Sequence, residues 1–555
     1  MKKLFFLPAL AAMMFSSCSS DEPTVDPSAD QNGNRYVAVT IQNVGSIGGR
    51  ANTSTDNGET FEEGIGNESN ITADNIRFYF FTSDGRPFVM NSTGVNGTVS
   101  ETNMVKPQTI NTSSNTNGKP TTIEATLVLG TATDPYNGNR PAYVFCVANP
   151  TSSFAFTNFA NKRMSEIYNI GGNAPTDLDA EDTFVMTSST YADNSFNPEQ
   201  APFATGSKVI FFTDLKDKVF DNPDEAKAHP AEIYLERLAA KIRAKGLDTY
   251  TAQQKAADNT LSDAVYTIKV LENGAIVSKT GNKLDVELTG WKLRNVANTA
   301  YGVKHIENDW LTNAPFTGWN ITELHRSFWA VSKAASTNDV ERKDYHIENP
   351  AEFALGNYDD ANPTENIAYC YENNMVQPAS ITDRPTDATA MVVRGIVKMQ
   401  GETTPLNLCF WGGDYFTEEA LKQQIIETYN ADKNETDKLT AAAVGFEKDT
   451  RAGAKSNTWY AYVKVGQNQV HNNYRFNDIK RWVNGETSYY VNIEHMGGKF
   501  GVIRNHIYDY TFTNVVGLGV PGNDPKNPDP ETETYLAARV MVLNWHLLSN
   551  NIVLE

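Results

Sequence analysis

Apolar and polar positions alternate with period two through much of this chain, the pattern of strands with one face buried and one face solvated. Val37, Val39 and Ile41 alternate with Ala38, Thr40 and Gln42, which predicts a half-buried strand over 36–44. Further strands are predicted at 76–82, 121–129 and 209–212, and at 142–147, where the apolar run is continuous. A later block carries them at 264–270, 283–288, 391–397, 458–464, 488–494 and 504–516. Turn residues such as Ser83-Asp84-Gly85 separate the strands, which favours sandwiches over βαβ units.

Three segments break the pattern. Asp221–Pro230 is rich in charge and proline and reads as a domain linker. The next stretch, 231–242, has helical propensity, but Ile233 and Leu235 alternate, as do Leu238, Ala240 and Ile242 after a one-residue shift; a bulged strand fits this better than a helix. One clear helix follows Thr417, a good N-cap, with Glu418 and Glu419 complementing its dipole. Leu421, Ile425 and Tyr429 share a face expected to pack on the second sandwich.

The last part of the chain is unusual. Residues 521–530 hold four prolines and predict an extended linker. Beyond it, 536–555 is a long apolar, β-forming segment. Left free it would be an aggregation-prone edge, so it must be paired with something.

The N-terminus changes the compartment. Lys2 and Lys3 precede an apolar stretch from Leu4 to Phe15 that is too short to span a membrane and ends in small residues, the signal-peptide pattern. Phe15-Ser16-Ser17-Cys18 looks like a bacterial lipobox, with Cys18 as the lipidated residue; an ordinary secretory signal is the alternative. Residues 19–34 form a polar linker, and Gly45–Gly58 is small and polar with Arg50 near its centre, a type of segment that proteases prefer.

Composition excludes more than it names. Lys and Arg total 47 against 67 Asp and Glu, a net charge of −20, which argues against nucleic acid because phosphate contacts need clustered cations. Four cysteines exclude a disulfide-dense scaffold. Cys146, Cys370 and Cys409 read as packed thiols, with a disulfide as the alternative. No metalloprotease, nucleotide-binding, serine-hydrolase or calcium-loop motif is present. The histidines are scattered, His495 and His506 being the nearest pair, and His506 and His546 read as packed residues. The acidic runs 214–217 and 432–437 read as solvated loops. No catalytic residue, metal ligand or cofactor is therefore expected.

A signal, an early strand, an arginine in a cleavable loop and a surplus strand behind a linker are explained together by a strand-exchange polymer. Removing the early strand opens an apolar groove, and the terminal strand of another copy fills it. About five large apolar side chains entering would contribute roughly 8–15 kcal/mol. The contact is head-to-tail and builds an open filament.

Several segments also resemble the fimbrillins of the Bacteroidales, the type V pilins, and among them the major shaft subunit of the short fimbriae. They are the lipobox at 15–18, Gly48-Gly49-Arg50-Ala51, Ala231–Ile242, the stretch 501–519 with Arg504-Asn505-His506-Ile507-Tyr508, and the terminal 540–555. The resemblance implies an all-β fold of two tandem transthyretin-like β-sandwich domains, a C-terminal donor strand segment and minor helices. It implies a signal peptide at 1–17, a propeptide at 18–50, domains at 51–225 and 230–520, a linker at 521–534 and a donor segment at 535–555. Lipidation falls on Cys18 and cleavage by an arginine-specific protease between Arg50 and Ala51. The strand removed carries Val37, Val39 and Ile41; the donor carries Val540, Val542, Leu543, Trp545, Leu547 and Val553. The implied role is a structural, non-enzymatic subunit of surface fimbriae, exported as an outer-membrane lipoprotein precursor, supporting adhesion and biofilm formation. Its implied partners are further copies of itself, anchor and tip subunits, the protease, and host or bacterial surface proteins or glycans. A tip adhesin and a surface glycan-binding lipoprotein are the alternatives.

Overall fold

The structure, a computed structural model, describes residues 35–43, 71–93, 99–113, 122–130, 132–133, 140–173, 184–192, 209–297, 299–305, 325–326, 332, 367–374, 388–450, 457–470, 476–495, 500–522, 535–544 and 548–550. The chain is all-β with minor helices. No helix among the described residues is long and apolar enough to cross a membrane.

The first part builds a nine-stranded sheet. Its relevant strands are β1 (Arg35–Asn43), β2 (Ile76–Phe81), β3 (Thr122–Leu129), β4 (Tyr143–Ala148), β5 (Met186–Ser188) and β6 (Ala231–Arg237). Their spatial order is β2–β4–β5–β6–β1–β3. β2 and β4 bury nearly every residue, which accounts for their unbroken apolar sequences. Short helices α1 (Phe156–Phe159) and α2 (Met164–Tyr168) add Phe159, Met164 and Ile167 to the same core.

The segment expected to be a linker contains a helix, α3 (Pro223–Ala228), capped by the Asn222 side chain, which accepts the Asp224 N–H at 2.8 Å. The change between cores comes later. β6 runs straight into β7 (Ala239–Lys245), with Leu238 between them. β6 buries Ile233 and Leu235 in the first core, whereas Ala240 and Ile242 belong to the second. The one-residue shift in the sequence is therefore the point where the chain leaves one sheet for another, rather than a bulge within one strand.

Strands β8 (Leu284–Arg294), β9 (Ile367–Tyr371), β10 (Ala390–Met399), β11 (Glu486–Asn492) and β12 (His506–Val516) complete the second core. β12 and β9 flank β7 in a seven-stranded sheet, while β8–β10–β11 runs through a five-stranded one. Both sheets contribute to one buried cluster, with Ile242, Tyr508, Tyr510 and Phe512 from one and Val286, Trp291, Val393 and Val491 from the other.

Helix α4 (Glu418–Asn430) follows Thr417, whose hydroxyl accepts the Ala420 N–H at 3.3 Å, and buries Leu421, Ile425 and Tyr429. It does not pack on the main second core. It shares a separate small core with Cys409, Phe416, Val444, Ala461, Val463 and Ile479.

Candidate strand-exchange interface

β1 lies inside its sheet, hydrogen-bonded on both edges. It runs parallel to β6, with Val39 opposite Ala231 and Ile41 opposite Ile233, and antiparallel to β3, with Val37 opposite Leu127 and Ile41 opposite Ile123. Val37 and Val39 are 0% and 1% exposed within the first core. The alternating sequence implied a solvated second face, yet Tyr36 and Ala38 are each only 5% exposed. They pack with Ala226 of α3 and with Phe220. The Tyr36 N–H donates to the Phe220 carbonyl at 2.8 Å, the Phe220 N–H donates back at 2.9 Å, and Arg35 pairs with Asp221 at 2.6 Å. Over residues 36–39, β1 is thus covered on both faces, and the strand is paired on both edges. Cys18, Arg50 and Ala51 lie outside the described residues.

The terminal segment is paired within its own chain. β13 (Tyr535–Asn544) runs antiparallel to β12, from His506 opposite Asn544 to Val516 opposite Tyr535, and β14 (Leu548–Asn550) folds back onto it. Among the expected donor residues, Val540 stands opposite Tyr510, Val542 opposite Tyr508 and Leu543 opposite Ile507. Trp545, Leu547 and Val553 lie outside the described residues. The seemingly surplus strand therefore closes the β12 edge.

The 504–508 stretch is a buried polar junction. Arg504 and Glu372 are both 0% exposed and joined in a fork, with Nε donating to Oε2 at 2.9 Å and Nη2 to Oε1. Arg504 also donates to the Tyr301 carbonyl at 2.8 Å. Asn505 Oδ1 accepts from Arg237 at 3.3 Å, and the Asn505 N–H donates to the Ala239 carbonyl at 2.7 Å. His506 Nδ1 lies 2.8 Å from the Arg504 carbonyl, and Tyr508 Oη accepts the Ile503 N–H at 2.8 Å. Nearby, Lys304 and Glu236 form a second buried pair at 2.8 Å. These groups sit where β6 becomes β7, so the motif ties the two cores together. Sequence reading singled out 504–508 but missed Glu372, Glu236 and Lys304, because no local pattern links residues so far apart in the chain.

His305 belongs to this junction. Its ring stacks on Tyr168 at 3.9 Å and on Tyr301 at 3.7 Å, and its Nε2–H donates to the Tyr168 carbonyl at 2.7 Å. Burial, together with the nearby Arg504 charge, lowers its pKa to about 4. An unfolded histidine titrates near 6.5, so below that pH the unfolded chain binds a proton that the folded chain refuses. This contribution to stability is complete above pH 6.5 and is lost as pH falls towards 4. Urea unfolding at pH 7 and pH 5 is expected to show a loss of about 2 kcal/mol from this group. His305→Gln, which keeps a donor, is expected to flatten that part of the slope.

Cys146, Cys370 and Cys409 are buried and free, with the Cys409 thiol pushed up to about 12 by burial. His495 and His506 are buried with ring centroids 4.9 Å apart, and no metal-binding group of side chains occurs among the described residues. Asp214 and Asp217 sit in a surface turn, where Asp214 accepts the Lys216 N–H at 2.7 Å.

Residues 479–551 match the family model described as the C-terminal domain of fimbrillin, major fimbrial subunit protein type IV. No curated protein matches the sequence. Among solved structures, a protein from Parabacteroides distasonis described as a putative cell adhesion protein is 12% identical with a TM-score of 0.36, covering 92% of this chain and 96% of its own. The C-terminally truncated tip fimbrial protein of Porphyromonas gingivalis is 11% identical with a TM-score of 0.30, covering 92% and 100%. A fimbrial assembly protein from Parabacteroides distasonis is 12% identical with a TM-score of 0.26, covering 67% and 83%. The matched segment spans β11, the 504–508 junction, β12 and β13, and through it the chain resembles the C-terminal domain of fimbrillin, a major fimbrial subunit protein.

Proposed function

We propose that this chain is the shaft subunit of a surface fimbria of the type V pilus class, assembled by protease-gated strand exchange and supporting adhesion and biofilm formation. The observation that carries this reading is the placement of β1. It is an interior strand whose Val37 and Val39 fill the first core, and it lies on the N-terminal side of Arg50. A cut after Arg50 frees β1 from the body of the chain, and its release leaves an apolar slot between β6 and β3.

In this reading Cys18 carries the lipid of an outer-membrane precursor, and an arginine-specific protease separates Arg50 from Ala51. Two tandem transthyretin-like sandwich domains form the body, the first reaching through β6 and the second beginning at β7 rather than at the expected residue 230, and 535–555 leaves its own β12 edge to fill the slot of another copy. Anchor and tip subunits end the filament, and surface proteins or glycans are its adhesion partners. The test is the N-terminus of the surface form. A start at Ala51, with Arg50→Ala giving an unprocessed monomer, is the expected result. Normal fibres from Arg50→Ala would overturn cleavage gating, and a surface form starting at acylated Cys18 would favour a glycan-binding lipoprotein.

A further inference from the structure

The slot filled by β1 is not uniform. On its outer face it takes the aromatic Tyr36 and the small Ala38, which pack in one cluster with Ala226 of α3 and with Phe220. On the core side it takes the aliphatic Val37 and Val39. A replacement strand therefore has to match a size pattern on both faces, not merely supply apolar residues.

The first half of β13 has that pattern. Tyr535-Leu536-Ala537-Ala538-Arg539-Val540 repeats Tyr36-Val37-Ala38-Val39-Thr40-Ile41 in kind: aromatic, aliphatic, alanine, small or aliphatic, polar, branched aliphatic. Neighbouring registers fail. A two-residue slide one way brings Arg539 to the Ala38 position, and the other way brings Tyr535 there. A one-residue slide turns Leu536, Ala538 and Val540 onto the wrong face. In its own chain, Leu536, Ala538 and Val540 stand opposite the core residues Val515, Phe512 and Tyr510, with a register shift between Phe512 and Asn514.

We infer that the β1 slot accepts residues 535–540 of a second copy in one register, with Tyr535 at the Tyr36 position and Ala537 at the Ala38 position, parallel to β6 and antiparallel to β3. α3 and Phe220 then act as the register gauge. The inference rests on the strand-exchange reading and adds to it the identity and alignment of the contact.

Ala38 stands opposite Thr126 on β3, so Ala537 of the entering copy takes that place. The experiment mixes processed full-length chains carrying Ala537→Cys with chains carrying Thr126→Cys, Glu124→Cys or Val128→Cys, and fibres are analysed on non-reducing gels. A crosslink at least tenfold stronger with Thr126→Cys than with the other two is expected. A dominant crosslink to Glu124→Cys or Val128→Cys overturns the register but keeps strand exchange, and fibres lacking all three crosslinks overturn this slot as the seat of the tail. Independently, Ala537→Phe is expected to slow assembly at least tenfold while Glu531→Gln, in the preceding linker stretch, leaves it unchanged; equal rates would remove α3 as a gauge. Fibres from chains lacking 536–555 would instead defeat the underlying reading.

Discussion

Chains lacking residues 536–555 are expected to be exported and processed yet to form no fibres. In the strand-exchange reading the donor would bring roughly 8–15 kcal/mol of apolar burial to each joint. Because about 1.4 kcal/mol is a factor of ten in affinity, its loss leaves no measurable assembly. The truncation also strips β13 from β12, along a ladder that extends from His506–Asn544 to Val516–Tyr535. An open β12 edge invites irregular association, so electron microscopy must separate ordered fibres from amorphous material. The double substitution Leu536→Asp and Val540→Asp, at the Val37 and Ile41 positions of the slot, is the companion variant. It retains a strand for β12 but places two carboxylates where the slot is apolar, and it is also expected to abolish fibres. Ordered fibres from either variant would remove the donor role from this segment.

Arg504→Leu is expected to destabilise the subunit by about 3–5 kcal/mol, because it leaves the Glu372 carboxylate buried without its counter-charge. Glu372 has no exposed surface, and Arg504 is held both by it and by the Tyr301 carbonyl. Urea unfolding of the unprocessed chain measures the change. The double variant Arg504→Leu/Glu372→Leu is expected to recover much of the loss, since two apolar groups of similar volume remove the unpaired charge. A loss of less than about 1 kcal/mol in the single variant would mean that water reaches the pair, contrary to its full burial. Because the pair lies where the first core hands over to the second, the single variant is also expected to make unfolding less cooperative.

Much of the scaffold was legible locally. Strands at 76–82, 121–129 and 142–147 appear within a residue or two of their predicted limits, because period-two burial writes itself into sequence. The cap and apolar face of α4 were equally legible, being contacts between near neighbours in the chain. Less was legible at the interface. The burial of Tyr36 and Ala38 depends on α3 and Phe220, more than 180 residues further along. The helix itself carries no periodic signal, because it is only six residues long and rich in charge, and its sequence reads as a linker.

By itself the sequence determined many of the strands, the apolar faces they carry, and that a strand-forming segment follows four prolines. These are properties of adjacent residues, set by side-chain alternation and turn chemistry. Only the tertiary structure decided that β1 is an interior strand covered on both faces, that 231–245 passes from one core to the other at Leu238, that Arg504 is neutralised by Glu372, and that the tail closes the β12 edge. Those outcomes depend on which strands meet. Pairing between distant strands is specified by the fit of whole faces and by the need to satisfy every buried polar group, and no short stretch of sequence contains that information.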